Sequence, residues 1–93
     1  MSESKATRTV VVTDPAGVHA RTALAIAQTV QRGKSQVTLS KAQRPVAGTD
    51  VLQIMTLVAD QGATMTLETV GPDADAVLSA LEPLFAGRFG GEA

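Results

Sequence analysis

The sequence predicts an α+β fold: an open-faced β-sandwich in which a four-stranded antiparallel sheet carries three helices on one face. Four short segments alternate in the manner of strands and three others have helical spacing, in the order βαββαβα. With 93 residues, 44% of them hydrophobic, the chain can build one two-layer core. We therefore expect a single domain over residues 1–93, with flexible ends at 1–6 and 90–93.

The first third of the chain predicts a strand, a turn and the longest helix. Residues 7–13 hold three consecutive valines among threonines, which favours a strand, and the Asp, Pro and Gly of 14–17 are typical of a tight turn. Apolar residues then recur at helical spacing over 20–32, and Gly33 is suited to end that helix. The stripe expected to face the core consists of Ala20, Ala23, Leu24, Ala27, Val30 and Gln31, with Ile26 beside it.

The middle of the chain predicts a hairpin followed by a short helix. Residues 36–40 alternate weakly and 44–47 form a second short strand, whose proline is typical of an edge strand. Asp50, followed three places later by a glutamine, resembles a capping box and predicts a helix over 51–57.

The last third predicts the clearest strand and a final helix. Apolar and polar residues alternate over 63–69, and the final helix opens at 71–73 with a proline and aspartates in its first turn. Pro83 is expected to kink or shorten this helix because it removes a backbone donor. The buried stripe expected here is Val77, Ala80, Leu81 and Leu84, with Phe85 alongside.

Composition excludes several classes of function. Two phenylalanines are the only aromatic residues besides a single histidine, and the net charge is −1 without any basic run, so nucleic acid is not expected as a partner. The absence of cysteine excludes disulfides and thiolate catalysis, and one histidine without clustered carboxylates makes a metal site unexpected. No apolar stretch is long enough for a signal peptide or a membrane span, and we expect a cytoplasmic protein.

The most informative residue is His19, the single histidine, at the start of the first predicted helix. A helix N-terminus favours anions, and an imidazole is nucleophilic near neutral pH, since its unperturbed pKa is about 6.5. Arg21, two residues later, is suited to bind phosphate oxygens. Together these residues indicate phosphoryl chemistry; the alternative is that His19 is a helix cap or an ordinary surface residue.

Three segments carry a family resemblance. Gly17-Val18-His19-Ala20-Arg21 resembles the signature Gly-(Ile/Leu)-His-Ala-Arg-Pro-Ala of the histidine-containing phosphocarrier family, HPr, of the bacterial phosphoenolpyruvate-dependent sugar phosphotransferase system. Residues 51–57 are similar to the family's second signature, a short helix, and 71–76 are similar to the opening of its last helix. The resemblance spans nearly all of residues 7–89.

The resemblance implies a carrier without turnover of its own, which receives a phosphoryl group from enzyme I and passes it to the EIIA components of sugar permeases. His19 matches the residue phosphorylated on Nδ1, and Arg21 the arginine that accompanies the phosphoryl group, with Ala20 at the phosphate-binding helix end. A monomer without cofactor or metal is expected. Partner docking is implied for Val51, Leu52 and Met55.

Helical spacing suggests a different role for the same apolar residues. It places Val51, Met55 and Val58 on one stripe with Leu52 at its edge, so that at least half of the four would be core residues.

Two positions depart from the family pattern. Thr22 stands where the family usually has proline, which predicts a less rigid arrangement around His19. Asp50 stands where many members carry a serine phosphorylated by a regulatory kinase; an aspartate has no hydroxyl to modify, and we expect it to cap the short helix. These departures keep open a second function, a regulatory binding module with weakened or no phosphotransfer. A stand-alone hydrolase would need a second catalytic group that the sequence does not supply.

Overall fold

Four strands and three α-helices follow one another in the order βαββαβα in the computed structural model, which describes residues 4–89. All strand pairs are antiparallel and the spatial order of the strands is first, fourth, second, third, which confirms the predicted fold class. The elements are β1 (Ser4–Val11), α1 (Ala20–Arg32), β2 (Gln36–Lys41), β3 (Arg44–Ala47), α2 (Val51–Thr56), β4 (Thr64–Gly71) and α3 (Ala74–Leu81), followed by a 3₁₀ helix (Glu82–Ala86).

Alternate side chains of the sheet and the inner faces of the helices form the core. The buried stripe on α1 differs from the predicted one: Ala20 and Gln31 are exposed, and Leu24 is 50% exposed. The helix is rotated so that the β-branched Ile26 lies at the centre of the packed face, where it is fully buried. The buried residues of α1 are Thr22, Ala23, Ile26, Ala27 and Val30.

The last helix changes type at Pro83. α3 ends at Leu81 and the chain tightens into the 3₁₀ helix, as expected from the missing backbone donor of proline. The predicted stripe is wrong at Ala80, which is exposed, while Leu78 is fully buried. Leucine at that position removes more apolar surface from water than alanine would.

Strand β1 begins earlier than expected. Lys5 pairs with Val70 and forms a salt bridge of 3.1 Å with Glu68, so residues 4–6 belong to the sheet and are not a flexible end. Residues 1–3 and 90–93, for which flexibility was also expected, lie outside the described residues.

The β2–β3 hairpin holds the end of α2. Lys41 Nζ donates to the carbonyl oxygens of Leu57 and Val58, at 3.1 and 3.0 Å. Arg44 donates to the carbonyl and the hydroxyl oxygen of Thr56, at 3.3 and 3.1 Å. Cationic donors therefore satisfy backbone acceptors that the C-terminal end of a short helix leaves unpaired.

Candidate functional site

His19 is the residue immediately before the first turn of α1. Its backbone is extended (φ −101°, ψ −174°), and its carbonyl oxygen accepts the first hydrogen bond of the helix from Ala23 N, at 2.9 Å. Its side chain makes no capping bond and is 36% exposed. The ring therefore lies on the surface beside the N-terminal end of a 13-residue helix, where the backbone favours an anion.

The loop before His19 is fixed by backbone contacts. Gly17 N donates to Asp14 O at 2.8 Å, and Val18 N donates to Ala59 O at 2.8 Å. Gly17 has φ +70°, and a Cβ atom built on it would lie 2.7 Å from Ala59 O, so glycine is required both for the turn and for the close approach. The segment that follows α2 thus sets the position of the residue before His19.

The imidazole of His19 contacts two polar side chains, both through Nε2. Thr22 Oγ1 lies 3.2 Å from Nε2, and Asp14 Oδ2 lies 3.7 Å from it. Asp14 Oδ1 accepts a hydrogen bond of 2.9 Å from Ala16 N, which orients the carboxylate. The sequence-based prediction that Thr22 loosens the surroundings of His19 did not include this contact, although a spacing of three residues at a helix start could have indicated it.

Arg21 and His19 share a neighbour near the end of the described chain. The Arg21 guanidinium carbon lies 4.4 Å from the centroid of the Phe89 ring, and the His19 and Phe89 ring centroids are 6.2 Å apart in an edge-to-face arrangement. A guanidinium over an aromatic face is held by the ring quadrupole. The sequence alone does not predict a role for Phe89, because no local pattern links it to His19 and Arg21, which lie about 70 positions earlier in the chain.

The N-terminus of α2 carries the predicted cap. Asp50 Oδ1 accepts a hydrogen bond of 3.1 Å from Gln53 N, which confirms the capping role expected from the sequence.

The exposed face of α2 is apolar. Leu52 is 76% exposed, Met55 40% and Val58 63%, while Val51 is partly buried. The expectation that at least half of these four residues would be core residues is therefore wrong. The core positions of this segment are Ile54 and Leu57, because the short helix turns a different stripe toward the sheet.

Other kinds of site find little support in residues 4–89. No three carboxylate or histidine side chains come close enough there to hold a metal ion, and no helix has the length and hydropathy to cross a bilayer. A groove of about 490 Å³ lies between the end of α1 and the β2–β3 hairpin; Val30, Pro45 and Thr49 line it, and none of the site residues does.

Comparison with known proteins identifies the class. The pattern described as "PTS HPr component phosphorylation site" matches residues 6–87. The phosphocarrier protein HPr of Cupriavidus necator is 37% identical over 83 residues, covering 89% of this chain and 93% of the relative, and that of Treponema pallidum is 38% identical over 82 residues, covering 88% and 93%. The crystal structure of HPr-C-His from Thermoanaerobacter tengcongensis has a TM-score of 0.83 at 30% identity and covers 95% of this chain and 99% of that one.

These comparisons place the open-faced sandwich in the class of small phosphoryl carrier domains. The chain belongs to the HPr family, and its function is that of a phosphoryl carrier of the phosphotransferase system.

Proposed function

We propose that His19 accepts a phosphoryl group from phospho-enzyme I and passes it to EIIA components. The exposed ring of His19 at the N-terminus of α1 is the observation that carries this proposal. A carrier must bind the group without enclosing it, and a helix end provides backbone N–H donors, beginning with that of Ala20, on an open surface. Arg21 supplies a guanidinium two residues away. Such a group can stabilise the negative charge that is spread over the three phosphoryl oxygens in the transition state.

The surface that meets the partners is the apolar face of α2, consisting of Leu52 and Met55 with Val51 beside them. The exposed fractions of Leu52 and Met55 support this proposal, as a small apolar patch suits a transient interface that needs rapid release. Because donor and acceptor would meet the same patch, their binding should be mutually exclusive. The expectations of a cytoplasmic, monomeric protein stay predictions.

Labelling with enzyme I and phosphoenolpyruvate tests the proposal. The protein should gain one acid-labile, base-stable phosphate, and His19→Ala should abolish it. Arg21→Ala should keep the fold and slow transfer, since losing a charged donor at the reacting group costs about 2–4 kcal/mol, and Arg21→Lys should restore only part of the rate. An acid-stable phosphate, or one that persists in His19→Ala, would exclude His19 as the acceptor. A wild-type protein that binds enzyme I but takes no label would instead be the regulatory binding module.

A further inference from the structure

The imidazole ring of His19 makes polar contacts with the described residues at one of its two nitrogens only. Both polar contacts that it makes within residues 4–89 are at Nε2, with Thr22 Oγ1 at 3.2 Å and Asp14 Oδ2 at 3.7 Å. The two nitrogens of an imidazole are chemically distinct, and a group that fixes the proton on one leaves the lone pair on the other. Groups placed at Nε2 therefore bear on which nitrogen of the ring keeps the lone pair.

The two groups at Nε2 are themselves fixed. Thr22 is fully buried on α1, and its hydroxyl meets the ring at the margin of the core. The Asp14 side chain is 14% exposed; its Oδ1 atom accepts a hydrogen bond from Ala16 N, and its Oδ2 atom is the one that lies 3.7 Å from Nε2. A carboxylate disfavours a lone pair facing it and favours an N–H, and the threonine hydroxyl can accept that N–H.

We propose that Thr22 and Asp14 are positioning residues that hold the proton of His19 on Nε2 and leave the lone pair of Nδ1 for the phosphoryl group. This inference rests on the proposed function of His19. In the transfer step, Nδ1 forms a bond to phosphorus while the bond from phosphorus to the donor breaks, and that electron pair stays on the donor atom. The Nε2 proton is not transferred; the ring acquires positive charge, which the Asp14 carboxylate offsets, and the return step reverses these changes.

The proposal gives Thr22 a specific role. The proline usual in the family at this position has no hydroxyl, so it cannot make the contact with Nε2. In this chain the ring is held by a side chain of α1 together with one from the preceding loop.

The sole histidine of the chain permits a direct test by ¹⁵N NMR on untagged, unphosphorylated protein. The wild type should show the Nε2–H tautomer. Asp14→Asn keeps an oxygen acceptor for Ala16 N but can turn an amide N–H toward Nε2, so a measurable population of the Nδ1–H form should appear. Thr22→Val retains the shape of the buried side chain without the hydroxyl and should shift the population in the same direction.

Single-turnover phosphorylation by phospho-enzyme I is the second readout. Thr22→Val should lower the maximal rate about five- to tenfold with little change in the concentration of enzyme I at half-maximal rate, because the ring is displaced and docking is untouched. Thr22→Ser, which restores a hydroxyl, should recover most of that rate. The matched control is Thr29→Val, two turns further along α1, where the hydroxyl donates only to Ala25 O at 2.8 Å; its rate should equal that of the wild type.

The proposal would be overturned if the tautomer populations and the transfer rates were unchanged in both Thr22→Val and Asp14→Asn. If Thr22→Val does not fold, the same two measurements on Asp14→Asn alone decide the question. The NMR result requires no phosphotransferase partner. A wild-type protein that takes no label but shows the expected tautomer shifts would refute the proposed function and leave the positioning role in place.

Discussion

Gly17→Ala should be strongly destabilising, and the structure separates the cost into two parts. A residue other than glycine at φ +70° costs about 1–2 kcal/mol, offset by about 0.4–1 kcal/mol from the stiffer unfolded chain. The added Cβ would also lie 2.7 Å from Ala59 O and 3.1 Å from Asp60 Cα, which are backbone atoms and cannot rotate away. Overpacking of this kind costs about 1–3 kcal/mol, and strain on the Val18–Ala59 hydrogen bond adds about 0.5–1.5 kcal/mol. We expect a total loss of about 1.5–6 kcal/mol.

Gly62→Ala is the matched control for this prediction. Gly62 has φ +93°, but no atom lies within 4 Å of its added Cβ, so this variant carries the conformational cost without the clash. Urea unfolding followed by far-ultraviolet circular dichroism is the appropriate assay, because the chain has no Trp or Tyr for fluorescence. Equal losses in the two variants would refute the steric reasoning. Phosphorylation of the folded fraction of Gly17→Ala should also fall, since the displaced loop carries His19.

Four further outcomes are expected. Leu52→Glu should weaken binding of enzyme I and EIIA while changing the free energy of unfolding by no more than about 0.5 kcal/mol; a larger loss would assign Leu52 to the core. Phe89→Ala should lower the transfer rate about two- to fivefold by removing the aromatic face under Arg21, and an unchanged rate would make that contact irrelevant. Asp50→Ala should lower the free energy of unfolding in urea by about 0.5–2 kcal/mol, whereas full stability would disprove the cap. A serine-directed HPr kinase should not phosphorylate the wild type, because Asp50 has no hydroxyl, and labelling by that kinase would contradict this expectation. Hydrogen bonds from the Ser35 hydroxyl and then from the Lys34 N–H hold the pKa of Asp73 in the folded protein below its ordinary value of 3.8. The stabilisation that they provide is complete above the ordinary pKa and is lost as the pH falls through the lowered one. The stability difference between the wild type and Asp73→Asn should therefore shrink between about pH 6 and about pH 3.

The fold could be predicted because its signals are local. Turn residues, helix caps and alternation located the four strands and the three α-helices, and α1 begins and ends at the predicted residues. Apart from the early start of β1, the errors concern which side of a helix faces inward. The spacing wrongly assigns Leu24 and Ala80 to the core, and it wrongly assigns at least half of the apolar residues on the exposed side of α2 there, whereas the family resemblance implies the exposed positions of Leu52 and Met55 that the structure shows. More than one helical stripe was available in each case, and only packing decides between them.

The candidate site was predictable only in part. His19 and Arg21 carry a recognisable pattern of residue types at a helix start, and so does the cap at Asp50. The contacts of His19 with Asp14 and of Arg21 with Phe89 depend on how a loop and a distant segment fold back, which no spacing along the chain encodes. Thr22 was predictable in part: the sequence shows that it departs from the family pattern, but it does not show that its hydroxyl contacts Nε2 of His19.

The short helix α2 has consequences for local unfolding. Six residues are too few for a helix that is stable alone, and both of its ends are completed by side chains: Asp50 at the start, Lys41 and Arg44 at the end. We therefore expect the amide protons of α2 to exchange with solvent whenever the β2–β3 hairpin opens, as one cooperative unit. The apolar face of α2 would be lost in each such opening, so the affinity for partners would depend on the stability of the hairpin as well as on the patch itself.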